Sequence, residues 1–273
     1  MLTDYHIHIE RGPYTVEWLR KFARQAQVVG ITDWGVSEHA YRFIETRSIF
    51  MNDWVAARQT EKIEDYLSLI LQAREQGIKV KFGIEMDYFP GKEKEIAEFI
   101  QKYPFDYVIG SVHWIDQWGI DLAEMRGEWD RREAQDVWVA YFDRIQSLAE
   151  SKLFDIAAHL DLAKIFKYIP GDSKFLQQQY DRVAKALAEN GTCIEISTAG
   201  LRKPVGEMYP HPELLKTCYS HGIPIVLSSD AHCPEDVGAD YAKAVRLARE
   251  VGYSKVQVFS ARKAEKYPLK NGR

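Results

Sequence analysis

Seven short β-rich runs each carry a histidine or a carboxylate at or near the C-terminal end, and no other feature restricts the possible folds so strongly. The runs fall at 4–9, 34–38, 80–87, 107–113, 156–159, 193–197 and 225–229, with a candidate eighth at 256–259. Longer runs with apolar residues at helical spacing separate them, and predict helices at 15–29, 61–76, 92–102, 132–151, 174–190 and 241–251. Thr15 is placed to cap the first of these, and Asn190-Gly191 and His221-Gly222 read as helix stops just before strands.

Strands alternating with helices point to βαβ units on a parallel sheet. Seven or eight such units in 273 residues point to a closed or nearly closed β/α barrel, with 1–273 as one domain. Parallel strands are normally apolar on both faces. Alternation would put Asp4, His6 and His8 on one face of the first run, which is costly unless something binds them. In a β/α barrel the C-terminal strand ends form the active-site face, so residues distant in sequence would converge there.

Six of the eight histidines sit at these strand ends, with Glu38, Glu85, Asp87, Asp161, Glu195 and Asp230. A lone histidine there is more often structural, but His-x-His followed by single histidines on later strands is hard to read as unrelated caps. Imidazole and carboxylate donors suit zinc, manganese or iron, and the set is too large for one ion. Two or three divalent ions are therefore expected. Glu195 reads equally well as a ligand and as a support behind one. Cys193, Cys218 and Cys233 are scattered and fit a reducing compartment better than a disulfide framework. The net charge of −4 and the lack of a Lys/Arg run argue against nucleic acid. No signal-like segment or apolar span is present, so a cytoplasmic protein is expected. The oligomeric state is not legible.

The motifs HIH, SEH, GIEMDY, GSVHW, AAHLDL and SSDAH, in this order, resemble the PHP (polymerase and histidinol phosphatase) superfamily. Within it, YPFDYVIGSVHW, HLDLAK, STAGLRKPVGEMYP and SSDAHCPEDVG are similar to histidinol-phosphate phosphatases. The resemblance implies a distorted (β/α)7 barrel, TIM-barrel-like, with up to three ions at its C-terminal face. It implies His6, His8, Glu85 and Asp230 around the first ion, Glu85, His113 and His159 around the second, and His39 and His232 around the third. Where the family usually has a further histidine, this chain has Tyr14, and Glu10 is expected to supply an oxygen instead.

The implied substrate is L-histidinol phosphate, hydrolysed by a water activated between the Glu85-linked ions. Asp230 and His232 are the nearest sources of a proton for the leaving group. Arg202, Lys164 and Arg42 are expected, in that order, to hold phosphate. The acids of the 116–130 segment and a nearby tryptophan would receive the cationic amino alcohol and its imidazole. Other readings are a phosphoesterase for another small ester, nucleotide or DNA end, an amidohydrolase, and a non-catalytic metal protein. The amidohydrolase pattern bridges its metals through a lysine-derived carbamate, whereas Glu85 fits the PHP pattern.

Overall fold

The computed structural model describes residues 1–270. Seven strands form one sheet in chain order: β1 (Thr3–Asp4), β2 (Asp33–His39), β3 (Lys81–Asp87), β4 (Tyr107–Ser111), β5 (Ile156–Ala157), β6 (Cys193–Ser197) and β7 (Ile225–Ser228). All neighbours pair in parallel. The last strand returns to the first through a bridge between Ile7 and Ala231, where His8 N donates to Ala231 O at 2.8 Å. The result is a nearly closed barrel, as expected, with its seam beside His6 and His8.

Helices α1 (Val16–Val29), α2 (Ile63–Glu75), α3 (Glu93–Lys102), α4 (Ala134–Ser151), α5 (Ser173–Asn190), α6 (Pro212–Ser220) and α7 (Tyr241–Val251) lie between the strands. In α1 the Thr15 side chain accepts from Trp18 N, Val16, Leu19, Phe22 and Ala26 are buried, and Gly30 ends the helix at φ 80°. That positive φ favours glycine. Helix α6 was signalled only by its stop. It is nine residues long, begins at Pro212 and is capped by the His211 side chain, a residue that rarely marks a helix start.

Two expectations need correction. The 256–259 run is not an eighth barrel strand. It lies in β8 (Lys255–Ser260), which pairs antiparallel with β9 (Lys263–Pro268). Ala261 and Arg262 both take positive φ, turning the chain back on itself. This hairpin closes the N-terminal mouth of the barrel. Phe259 joins Tyr5, Tyr107, Ile109, Ile156, Cys193 and Val226 in a buried cluster, and Arg262 pairs with Asp155, the residue before β5, at 2.9 Å.

The first run also departs from regular alternation. Pairing stops at Asp4 and resumes only at Ile7. Tyr5 enters the cluster at the barrel floor, and Asp4 accepts bonds from Ser229 N at 3.0 Å, Ser229 Oγ at 2.6 Å and Gly238 N at 3.2 Å. Asp4 therefore does not share a face with His6 and His8. Tyr107 fills the space beside β2 and β3: a Cβ on Gly83 would lie 2.2 Å from its ring, and one on Gly35 2.5 Å from its hydroxyl oxygen.

Candidate metal centre

Above the tyrosine layer the barrel interior turns polar. Glu85, on β3, is buried at the centre. Its Oε1 lies 3.3 Å from His6 Nε2, 3.3 Å from His159 Nε2 and 3.6 Å from His113 Nε2. Its Oε2 lies 3.7 Å from His8 Nε2 and 2.5 Å from His39 Nδ1. Asp230 Oδ1, just past β7, lies 3.4 Å from His8 Nε2, 3.3 Å from His232 Nε2 and 3.7 Å from His6 Nε2. The barrel thus brings together every histidine and both carboxylates expected around the first two ions, with His39 and His232 beside them.

Most of these separations are long for hydrogen bonds. They match two ligand atoms sharing an ion: bonds of ~2.1 Å at a tetrahedral angle put the atoms ~3.4 Å apart. His6 Nε2, both ring nitrogens of His8 and His159 Nδ1 are buried without a hydrogen-bond partner. Such orphans cost about 1–3 kcal/mol each. Among the described residues, His6–Glu85–His159, His6–His8–Asp230 and His8–His39–His232 each bring ligand atoms within 4.8 Å of one another. The residues fit divalent ions.

Three further carboxylates orient the imidazoles from behind, as supports of metal ligands do. Glu195 Oε2 meets His6 Nδ1 at 3.0 Å, while its Oε1 accepts from His159 N at 2.8 Å. Asp87 Oδ1 meets His113 Nδ1 at 2.9 Å and accepts from His113 N at 3.1 Å. Glu10 Oε1 meets His232 Nδ1 at 2.7 Å. Its other oxygen is buried without a partner, near His8 and Glu38. The expected oxygen of Glu10 is thus divided between holding His232 and facing the histidine stack. Tyr14 lies outside this network and donates to Glu61.

The charges are strongly coupled. Burial opposes protonation of His6, but Glu195, Glu85 and Asp230 outweigh it and raise its pKa well above normal. Burial likewise opposes charge on His113 and His232, yet Asp87 and Glu85 raise the first to about 10, and Asp230 and Glu10 raise the second to about 9. His8 goes the other way, lowered by burial and by His39 and His232. Their rings stack on it at 4.0 and 4.6 Å. His159 and Asp230 both have positive φ, 21° and 49°. Such strain in non-glycine residues clusters at functional sites.

A cavity of about 320 Å³ opens over Glu85, His39, His113, His159, Asp230 and His232. The cations around it differ from those expected. Lys164 is buried away from it, donating to Met208 O at 2.8 Å and pairing with Asp161 at 3.0 Å. Arg202 is also absent from the lining: it donates to Ser229 O at 2.6 Å and pairs with Asp236 at 3.5 Å. Both follow the β/α loops but turn inward to brace them. Arg42 does line the cavity, with its guanidinium paired to Glu61. Arg11, Arg58 and Lys203 line it too.

The PHP domain model matches residues 4–199. A relative from Deinococcus radiodurans named "Probable histidinol-phosphatase" is 33% identical over 92% of this chain and 94% of its own length. The chain belongs to the PHP family. The histidinol-phosphatase of Lactococcus lactis is 27% identical over 96% of both chains, and that of Bacillus subtilis 27% over 87% and 96%. Among solved structures, histidinol phosphate phosphatase from Lactococcus lactis, in complex with zinc, L-histidinol and phosphate, superposes with a TM-score of 0.79 at 22% identity. The match covers 97% of this chain and 98% of that one.

Several lining residues escaped sequence reasoning. Tyr209 lies inside the quoted STAGLRKPVGEMYP stretch, yet nothing local shows that its buried hydroxyl lacks a partner beside the cavity. Tyr41 follows SEH by two positions and stacks on His39 at 4.9 Å. Trp54 and Arg58 come from a connection with no metal motif, and the Arg58 guanidinium sits 3.7 Å over the Trp54 ring.

Proposed function

We propose that this chain is a metal-dependent phosphomonoesterase that hydrolyses L-histidinol phosphate to L-histidinol and phosphate. The ligand-like spacing of histidine nitrogens around Glu85 and Asp230 carries the metal-dependent part of this reading. The names of the relatives support the substrate. The proposed cofactor is a cluster of two or three divalent ions, zinc, iron or manganese, which when bound would activate water and balance charge on the phosphoryl oxygens.

His6, His8, Glu85 and Asp230 would hold one ion, and Glu85, His113 and His159 the second. His39 and His232 supply only two imidazoles to a third position, so it is the weakest. Glu195, Asp87 and Glu10 fix the rings that must not rotate. With the third position unfilled, we assign the leaving-group proton to His232 Nε2, which Asp230 faces at 3.3 Å; an ion at that position would take this nitrogen instead. Arg42, Arg11, Arg58 and Lys203 are the cavity-lining cations that would receive the phosphate; Arg202 and Lys164 act by bracing the loops. Tyr209, whose phenol burial raises well above its ordinary pKa, stays protonated at neutral pH and so keeps a hydroxyl proton to donate.

The test is a panel of phosphate esters on protein of measured metal content. Turnover of L-histidinol phosphate no better than that of an aryl phosphate would reject the substrate while leaving the phosphoesterase standing.

A further inference from the structure

Resting on the substrate reading above, we propose that Asp121 is the residue that selects the amine of the substrate, by receiving its ammonium group. The 116–130 segment carries five acids, and the structure separates them. Asp116 pairs with Arg144 at 2.8 Å, and Glu124 accepts from Trp54 Nε1 at 2.6 Å. Glu128 pairs with Arg131 and Arg132, and Asp130 accepts from the Tyr168 hydroxyl. Asp121 alone among them lines the cavity, and its Oδ1 is sealed from solvent without a hydrogen-bond partner.

Its position is built. Ile120 N donates to His113 O at 2.9 Å, and Trp129 Nε1 donates to Ile120 O at 2.8 Å. The residue next to Asp121 is thus pinned to the backbone of a proposed ligand. An unpartnered carboxylate in a phosphatase cavity repels the phosphoryl group, so it is useful only where the substrate carries a cation. The amino alcohol of L-histidinol phosphate carries an ammonium one carbon from the ester methylene, within the same small cavity. A site built to pair a polar group rejects the analogue lacking it, because its own group is then left buried and unpaired.

The experiment compares kcat/KM for L-histidinol phosphate with that for its deamino analogue, imidazolylpropyl phosphate. It uses the metal-loaded wild type, Asp121→Asn, Asp121→Glu and Asp116→Asn. The wild type should favour the amine-bearing ester. Asp121→Asn should lower that ratio roughly tenfold or more, the size expected for a lost charged hydrogen bond. Asp121→Glu should retain part of the ratio, and Asp116→Asn all of it. A wild-type ratio preserved in Asp121→Asn, including a parallel fall on both esters, overturns this inference and leaves the substrate reading intact. A wild type indifferent to the amine also overturns this inference, whereas the substrate reading falls only if L-histidinol phosphate is turned over no better than an aryl phosphate.

Discussion

Single side chains decide what this barrel can do, and Glu85 is the most consequential. It stands between two groups of imidazoles, so Glu85→Ala should remove both ions it links together with activity, read as metal per chain by elemental analysis. Survival of either ion would move the centre elsewhere. Glu195 acts one layer back, on His6 Nδ1 and His159 N. Glu195→Gln should weaken metal affinity by about 10–100-fold in a chelator competition. Activity should return at high metal. Tyr209→Phe deletes only the hydroxyl; kcat/KM should fall about tenfold, with metal content unchanged. The strand-end histidines were legible because polar residues on a buried parallel strand are anomalous in the sequence itself. Asp121, Tyr209 and Lys203 were not legible: a surface-type acid, a tyrosine and a lysine in loops look the same whether they face a cavity or water.

At the scale of elements, the C-terminal hairpin is the piece the periodicity misjudged. Val256 to Phe259 reads as a strand and is one, but the sheet has no opening for it, because the chain just past β1 and just past β7 already bridges at Ile7 and Ala231. Its place is set by Phe259 against Tyr5 and Tyr107, and by Arg262 on Asp155. Phe259→Ala should cost about 3–5 kcal/mol by leaving a void in the barrel floor, measured by denaturant unfolding. The metal sites lie at the opposite end, so metal stoichiometry should not change. A near-zero cost would show that the hairpin is an ornament. The irregular first strand has a related cause: Tyr5 is drawn into the floor and Asp4 onto Ser229 and Gly238, which interrupts the pairing before His6.

Over the whole molecule, the charge cluster links metal, protons and stability. In the ion-free protein His113 and His232 have folded pKa values of about 10 and about 9, above the ordinary 6.5. Raised values mean their protons stabilise the fold fully below about pH 6.5, and that this contribution is lost as pH rises through 9 and 10. An ion binding these nitrogens must displace those protons. Metal affinity should therefore rise from pH 6 to 9, with proton release on titration at pH 7 that fades towards pH 10. Calorimetry in buffers of different ionisation enthalpy would read this, and zero release at pH 7 would refute it. The sequence by itself determined the β/α repeat and the identity of the strand-end donors, because side-chain period and the cost of burying polar groups are local properties of the chain. Only the tertiary structure decided which donors share a hub, which acids stand behind them, that Arg202 and Lys164 brace loops, and that one acid of five faces the cavity. Those facts depend on distances between residues such as His6 and Glu195, 189 positions apart, and closure of the barrel sets them.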